Sequence, residues 1–384
     1  MITLSPEEQK HLELVQSFAR EAVAPAAASW TRGQSPEPQI MAAAAELGLF
    51  RLQVPAEDGG LGASFSLKAA ACQALAAADF GLAMSLVNTH NVAAKLAAHG
   101  STALKKKHLP ALLWGQGHAC TALTEPQAGS DVAAMQTRAV KSAGGWVLDG
   151  EKSWITNARN ASTAIVYAQC GDVSTSRTIG AFLVDLTAPE CRRSSIRSDF
   201  AQSSTGTGGF RMSCLHLPEE NLLVAPGEAF RAIMAELNGA RAYVAAMCCG
   251  MLDSALEIVS GYGKSRSSFG RALAEHQMWR LQVAEAETTL AAAQGLAAQA
   301  AAAIDAGSDA QLISAQAKIF AVQACKTHLP AMLHAMGAEG LNPEHPFARH
   351  VGAAQIAGLV DGSTEMLLER VAKLSRHASL HKRS

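Results

Sequence analysis

The residues of this chain that could do chemistry are concentrated in a few short segments, and the first is a polar loop, TALTEPQAGSD, at residues 121–131. Pro126 and Gly129 favour a tight loop whose backbone amides and hydroxyl groups can face a polar ring edge or a phosphate-like group. An ordinary polar loop with a helix cap at Ser130 would have the same composition. The loop therefore indicates a ligand site only when it is taken together with the other segments.

Two further segments offer an aromatic face and a cation. Residues 152–157 read KSWITN, in which the indole of Trp154 could cover one face of a planar ring and the hydroxyl group of Thr156 could donate to a ring nitrogen. A core tryptophan beside a strand-end threonine is the alternative. Residues 262–277 read YGKSRSSFGRALAEHQ, and Arg266 before a glycine turn suits a pyrophosphate, because a guanidinium group pairs bidentately with phosphate oxygens.

Three zones of the chain must position these segments. The first is helical from a capping box at Ser5 to about Gly117, the second has strand-length runs and turns, among them an expected turn at Asp149–Gly150, and the third is helical and rich in alanine and leucine. This order predicts an α+β fold. The expected domains are an N-terminal helical domain at residues 1–118, a central β-domain of sandwich or barrel type at residues 119–226, and a C-terminal domain at residues 227–384 that can form a four-helix bundle.

The composition argues against several classes of protein. The 384 residues carry 32 basic and 33 acidic side chains, so there is no basic excess for nucleic acid or an anionic membrane. We find no uncharged apolar run long enough to span a membrane, and a capping box begins the chain where a signal peptide would stand. The eight cysteines are scattered without metal-ligand spacing, which favours reduced thiols in a cytoplasmic protein and no metal site.

In order and spacing these segments resemble the acyl-CoA dehydrogenase family. The loop matches the family signature TEPxAGSD, and WITN follows at the family's distance. The spacing from Arg266 through Phe269 to Gln277 matches the segment that reaches the FAD of a neighbouring subunit. Residues 334–365 align without a gap to the family stretch that begins Q-x-F-G-G-x-G and ends in the E-G-T containing the catalytic base. The resemblance covers residues 121–365.

The resemblance implies an FAD enzyme that removes two hydrogens from an acyl thioester, carried by CoA or an acyl carrier protein. It also implies electron-transfer flavoprotein as the electron acceptor, and assembly as a homodimer or homotetramer. The residues implied around the flavin ring and its near phosphate are Leu123, Thr124, Ser130, Trp154 and Thr156. Those implied for the adenine half, across a subunit interface, are Arg266, Phe269 and Gln277, with His334, Gly337, Ser363 and Glu365 nearby. Those implied to contact the acyl-pantetheine group are Ser130, Asn238 and Arg241.

The chain departs from the family at the base. Asp361 stands where the family has its catalytic glutamate, and Ala240 occupies the position at which a variant subfamily places its glutamate instead. One missing methylene withdraws the carboxylate by roughly 1–1.5 Å, and a shift of about 1 Å can cost on the order of a hundredfold in rate. His334 also replaces the family's usual glutamine.

Three interpretations of Asp361 remain open at this point. It can be the base for a branched or cyclic acyl thioester whose acidic carbon lies closer to the carboxylate. It can serve another carbon-acid oxidation, as in the nitroalkane-oxidising branch of the family, although Leu368 stands where that branch has an arginine. The third interpretation is a flavin-binding subunit with little activity of its own.

Overall fold

The structure, a computed structural model, describes residues 2–32, 35–196, 198, 200 and 203–381. The chain divides into two compact units. The helical unit comprises Met1–Gln34, Ser64–Ala83 and Leu237–Ser384, and the sheet unit comprises Ser35–Ala63 and Met84–Glu236. The α-helices are α1 (Pro6–Phe18), α2 (Ala24–Ala27), α3 (Pro38–Glu46), α4 (Phe65–Ala78), α5 (Phe80–His99), α6 (Thr102–Leu113), α7 (Ala229–Ser265), α8 (Gln277–Asp305), α9 (Gln311–Ala335), α10 (Phe347–Ala357) and α11 (Thr364–His381). The strands are β1 (His118–Ala122), β2 (Arg138–Ser142), β3 (Gly145–Ile155), β4 (Ala161–Gln169), β5 (Ile179–Asp185), β6 (Cys191–Ser195), β7 (Gly208–Pro218), β8 (Leu222–Val224), β9 (Ser267–Ser268) and β10 (Arg271–Ala272).

The first helix begins as its sequence predicts. The Glu8 amide donates to Ser5 Oγ at 3.2 Å, and the Ser5 amide donates to Glu8 Oε2 at 3.0 Å. This reciprocal pair satisfies two amides at the start of α1 that have no partner within the helix. The other oxygen of Glu8 accepts from the Ser64 amide at 3.0 Å, so the capping residue also fixes the segment that leads into α4.

In the helical unit, α9 packs against α8, α10 and α11, and α4 packs against α1 and α8. Asp305, the last residue of α8, caps the start of α4, because its Oδ1 accepts from the Phe65 amide at 2.7 Å and its Oδ2 from the Ser66 amide at 3.0 Å. A carboxylate at a helix N-terminus is stabilising there. The backbones of α7 and α4 also touch, since a Cβ on Gly250 would lie 2.0 Å from the Gln73 carbonyl oxygen.

One described helix, α7, is long and apolar enough to cross a membrane by length and composition alone. Within the structure, 78% of its apolar window is buried by other parts of the protein. Mostly buried helices of this kind occur in the cores of soluble proteins, so its composition reflects packing.

The sheet unit contains a sheet of eight described strands in the order β6-β7-β3-β2-β4-β5-β8, with β1 paired in parallel to β4. Its core is formed by apolar residues of several strands, among them Trp146, Leu148, Val166, Phe182 and Phe210. The helices before it, the sheet and the helices after it confirm the predicted α+β fold class.

The prediction of a turn at Asp149–Gly150 is wrong. Both residues lie inside β3, and the turn that joins β2 to β3 contains Gly144, with a φ of +85°. A Cβ on Gly150 would lie 2.5 Å from Thr137 Oγ1, so a glycine is needed there for close approach of the backbone. Asp149 Oδ1 accepts from the Cys214 amide at 2.7 Å, opposite a register shift between β3 and β7. The Asp-Gly pair therefore lies at an irregularity in the pairing of β3 with β7.

Candidate active site

In the sheet unit, a bulge in β3 presents Trp154 to the outside. Lys152 pairs with Phe210 and Ile155 pairs with Gly208, so β3 uses one residue more than β7 over this interval. The extra residue bends the strand locally and gives Trp154 a φ of +59°. The side chain of Trp154 is 58% exposed, although it follows a strand whose alternate side chains are buried.

The polar loop is attached to β3 beside this indole. The Ser153 amide donates to the Thr124 carbonyl oxygen at 3.1 Å, which brings Thr124 next to Trp154 in the chain's fold. Leu123, Thr124 and Thr156 are half-buried, and Ser130 is exposed further along the loop. Four of the five residues predicted around the flavin ring therefore lie on two adjacent backbone segments of one unit.

A buried ion pair beneath the loop was not predicted. Lys152 Nζ donates to Glu125 Oε1 at 2.8 Å and to the Leu123 carbonyl oxygen at 3.1 Å, and both charged side chains are almost fully buried. The same carboxylate accepts from the backbone amides of Gln136 at 2.6 Å and Thr137 at 3.0 Å. Burial lowers the pKa of Lys152 to about 8, against the effect of Glu125. The glutamate of the TEP motif thus holds the loop to the sheet.

A signal for this pair was present in the sequence. Lys152 shares its strand face with Leu148 and Trp146, four and six residues earlier, because side chains alternate along a strand. A lysine on the inward face needs a buried partner, and the TEP glutamate is the acidic residue that the fold supplies.

In the helical unit, Asp361 lies between α10 and α11 with a φ of +53°. This is the left-handed region, which residues with a side chain rarely adopt. The residue as a whole is half-buried, while its Oδ2 atom is shielded from solvent and has no hydrogen-bond partner among the described residues. Burial raises the pKa of this carboxyl group, and the nearby Lys318 and Arg241 lower it in part.

Asn238 and Arg241, two of the three residues predicted to contact the acyl-pantetheine group, lie beside Asp361. Arg241 Nε donates to the Asp361 carbonyl oxygen at 3.1 Å, and Arg241 Nη1 donates to Asn238 Oδ1 at 2.8 Å. Arg241 is buried, and burial together with Arg370 lowers the pKa of its guanidinium group to about 10. Ala240, beside Arg241, is apolar and buried, so Asp361 is the carboxylate of this group.

Lys318 of α9 completes the group and was not predicted. Its Nζ donates to the carbonyl oxygen of Gly362 at 2.6 Å and also to that of Val360. The side chain is buried, and burial lowers the pKa of its ammonium group to about 8. In the sequence Lys318 is a lone charge in an alanine-rich helical stretch, which is a weak signal by itself.

The residues predicted for the adenine half form a second group in the helical unit. Arg266 and Phe269 lie in the connection between α7 and α8, where Phe269 has a φ of +50° and is 96% exposed. Gln277 begins α8. Trp279 Nε1 donates to the Ala335 carbonyl oxygen at 3.2 Å, so the first turn of α8 lies against the end of α9.

The remaining predicted cofactor residues lie at helix ends of the same unit. His334 and Gly337 are exposed at the end of α9, and Gly337 has a φ of +62°. Ser363 precedes α11, where its Oγ accepts from the Met366 amide at 3.4 Å, and Glu365 is exposed in the first turn of that helix. Hydrogen bonds from its own backbone amide and from Ser363 lower the pKa of Glu365.

Comparison with known proteins identifies the class to which this fold and site belong. Family models match the chain at residues 5–116 (acyl-CoA dehydrogenase, N-terminal domain), 120–214 (middle domain) and 227–375 (C-terminal domain). The chain is 31% identical over 369 residues to glutaryl-CoA dehydrogenase of Desulfococcus multivorans, a match that covers 94% of this chain and 95% of the relative.

Solved structures agree with this result. Butyryl-CoA dehydrogenase of Megasphaera elsdenii superposes with a TM-score of 0.92 at 27% identity, covering 97% of this chain and 99% of that one. A chain from the structure of the electron transferring flavoprotein of Acidaminococcus fermentans also gives a TM-score of 0.92, at 26% identity, covering 97% and 98%. The chain belongs to the FAD-dependent acyl-CoA dehydrogenase family, whose members are oxidoreductases acting on CH–CH groups.

Proposed function

We propose that this chain dehydrogenates an acyl-CoA between its α- and β-carbons, with Asp361 as the base that removes the α-proton. The observation that carries the proposal is the carboxyl group of Asp361, which has a shielded oxygen without a partner among the described residues and lies beside a buried arginine. FAD, when bound, accepts the hydride from the β-carbon.

The base is suited to a weakly acidic carbon. A carboxylate removes a proton most effectively when its pKa approaches the operating pH, and burial raises the pKa of Asp361 in that direction. Arg241 holds the backbone carbonyl of the same residue, so the carboxyl group projects from a fixed point. A positioned base of this kind contributes about 10²–10⁴-fold to rate.

The chain's residues fit FAD. Trp154 offers an exposed indole face beside Thr124 and Thr156, whose hydroxyl groups can bond a ring edge. Arg266 is exposed for a pyrophosphate, and Phe269 offers a second exposed aromatic face. We assign the remaining flavin contacts as the family resemblance implies them, to Leu123, Ser130, Gln277, His334, Gly337, Ser363 and Glu365.

The substrate class follows from the length of the base. Aspartate reaches less far than the family's glutamate, so its partner carbon must lie closer to the backbone of residue 361. A branched or cyclic acyl group presents an α-carbon that can approach in this way. We assign Ser130, Asn238 and Arg241 to the acyl-pantetheine group of this substrate, and electron-transfer flavoprotein as the acceptor of the electrons.

We also propose boundaries for the three domains and a cellular location for the protein. We place the domains at residues 1–118, 119–226 and 227–384, and the protein in the cytoplasm. The similarity to a bacterial glutaryl-CoA dehydrogenase and the eight unpaired cysteines support that location.

The test is anaerobic bleaching of the flavin in the FAD-loaded protein by a panel of straight, branched and cyclic acyl-CoAs. We expect fast bleaching with a branched or cyclic member and slower bleaching with straight chains. Dithionite, which reduces any competent bound flavin, is the control. Bleaching of the flavin by nitroalkanes in the same panel would instead indicate a different carbon-acid oxidation. Flavin that dithionite bleaches but no thioester does would favour a flavin-binding subunit without this activity.

A further inference from the structure

Lys318 is a buried charged group that the chemistry above does not use. Its Nζ donates to the carbonyl oxygens of Val360 and Gly362, the residues on either side of Asp361. The carbonyl of Asp361 itself is taken by Arg241. Three successive carbonyl groups are therefore held by two buried cations that come from α9 and α7.

We propose that Lys318 is a positioning residue for Asp361, holding the peptide groups on both sides of it so that the carboxyl group points in one direction. The inference rests on the proposed role of Asp361 as the base. Lys318 itself touches neither the substrate nor the reacting atoms in this proposal, since it acts through the backbone.

The backbone at Asp361 adopts an unusual conformation that other groups must stabilise. Asp361 has a φ of +53° and Gly362 a φ of +100°, so two successive residues lie outside the conformations that ordinary side chains favour. Strained backbone of this kind persists only when surrounding structure fixes it, and it concentrates at functional sites. The two hydrogen bonds of Lys318 lie on either side of the strained Asp361, which fixes the direction in which Cβ of this residue leaves the chain.

The charges around Lys318 make its contribution depend on pH. The groups that face it are Asp361 from the α10–α11 connection, Arg241 and Cys248 from α7, and Lys326 from its own helix. Arg370 of α11 acts on Arg241. Burial lowers the pKa of Lys318 to about 8, so the ammonium group loses its proton as pH rises through that value. A neutral amine holds two carbonyl groups less strongly than an ammonium ion.

The experiment measures the rate of flavin reduction in the FAD-loaded protein from about pH 6 to 10, with the most active acyl-CoA of the panel. Lys318→Arg keeps a cation that does not titrate, and Lys318→Met keeps the apolar stem without the charge. Lys95→Met is the matched control, because Lys95 is also buried and pairs with Glu236 at 2.7 Å in the sheet unit.

We expect the parent rate to rise as Asp361 loses its proton and to fall above about pH 8. In Lys318→Arg the fall should move to higher pH. In Lys318→Met the rate near neutral pH should drop at least about tenfold, and the rising limb should move to higher pH because a cation that lowers the pKa of Asp361 is gone. Lys95→Met should lose stability but keep both limbs of the parent.

A Lys318→Arg variant whose falling limb stays where the parent has it would overturn the proposal, and this variant suffices if Lys318→Met does not fold. A lower rate in Lys318→Met with both limbs unchanged would also overturn it, since that pattern reports a merely structural loss.

A second readout separates this inference from the proposed function. Infrared difference spectra of the protein can follow the carbonyl stretch of the protonated Asp361 carboxyl, assigned by its disappearance in Asp361→Asn. We expect its titration midpoint to be higher in Lys318→Met than in the parent, whether or not any thioester reduces the flavin. An unchanged midpoint would refute the role of Lys318 while leaving the dehydrogenase proposal intact.

Discussion

The carboxyl group of Asp361 is held where its charged form is disfavoured, and two buried cations offset only part of that cost. Burial raises its pKa, and Lys318 and Arg241 lower it in part. A group kept in this state is more basic than an exposed carboxylate, which suits proton abstraction at carbon. The same burial of the Asp361 carboxyl group lowers the stability of the folded protein at neutral pH.

Asp361→Asn should lower the rate of flavin reduction at least about 10²-fold with little change in thioester affinity. Asparagine keeps the volume and the backbone hydrogen bond to Arg241 but cannot accept the proton. Stopped-flow reduction and equilibrium binding of the acyl-CoA measure the two quantities. Asp253→Asn is the matched control, because burial also raises the pKa of that carboxyl group on α7. Equal rates in parent and Asp361→Asn would show that the base lies elsewhere.

The stability of Asp361→Asn should change with pH in a defined direction. The raised pKa of Asp361 means that its contribution to stability is present at low pH and lost as pH rises through the folded-state value. Asparagine stays neutral, so the variant should melt at or above the parent temperature near pH 7. The difference should shrink toward the ordinary carboxyl pKa of about 4. Calorimetry at several pH values checks this, and a variant less stable than the parent at neutral pH would contradict it.

Among the structural elements, the polar loop at residues 121–131 depends on a buried ion pair that touches no ligand in our proposal. Lys152 of β3 and Glu125 of the loop bond each other, and Glu125 also accepts from two backbone amides that precede β2. One carboxylate thus fixes the loop against two strands. The bulge that turns Trp154 outward begins one residue after this lysine, so the loop and the indole share one anchor.

Glu125→Gln should reduce the free energy of unfolding by about 3–5 kcal/mol, because it leaves the Lys152 charge buried without its counterion. Urea unfolding monitored by circular dichroism measures the change. Glu219→Gln removes an exposed partner of Lys141, and it should cost less than about 1 kcal/mol. Lys152→Met added to Glu125→Gln should recover part of the loss. Similar losses for the buried and the exposed glutamate would refute this account of the loop.

Arg266 lies in the connection between two long helices, and we expect its guanidinium group to pair with the cofactor's pyrophosphate. Arg266→Ala should weaken FAD binding by about 1.5–3 kcal/mol, the range for a lost charge-assisted contact. Fluorescence titration of the apoprotein with FAD gives the affinity. Arg211→Ala, an exposed arginine of β7 whose side chain is 69% exposed, is the control and should leave the affinity unchanged. An unchanged affinity in Arg266→Ala would exclude a pyrophosphate contact.

In our proposal the two ends of each FAD site come from different chains. We expect a yellow protein with one FAD per chain that is a homodimer or homotetramer in solution. Absorbance of released flavin and light scattering measure these quantities. A monomer that retains FAD, or a colourless protein that takes up none, would contradict the assignment of Arg266 and Gln277 to a neighbouring chain's cofactor.

Much of the fold could be predicted because local signals and the family motifs agree. The capping box at Ser5, the helical zones and the strand-rich zone are encoded by residues that lie near one another in sequence. The prediction of a turn at Asp149–Gly150 was wrong for a specific reason. Gly150 is required because Thr137 approaches its backbone closely, and no turn is involved. A glycine required by a distant side chain cannot be distinguished from a turn glycine by its neighbours.

Residue types and their spacing were enough to predict the family and the order of the domains, and to single out Asp361 as the base that we propose. Tertiary structure alone decided that Lys318 holds the carbonyl groups beside Asp361 and that Lys152 pairs with Glu125. Lys318 lies 42 residues from one of its partners and Glu125 lies 27 residues from Lys152. The contribution of a buried charge to stability depends on which groups pair with it after folding. That contribution cannot be assigned from the identity of the residue alone.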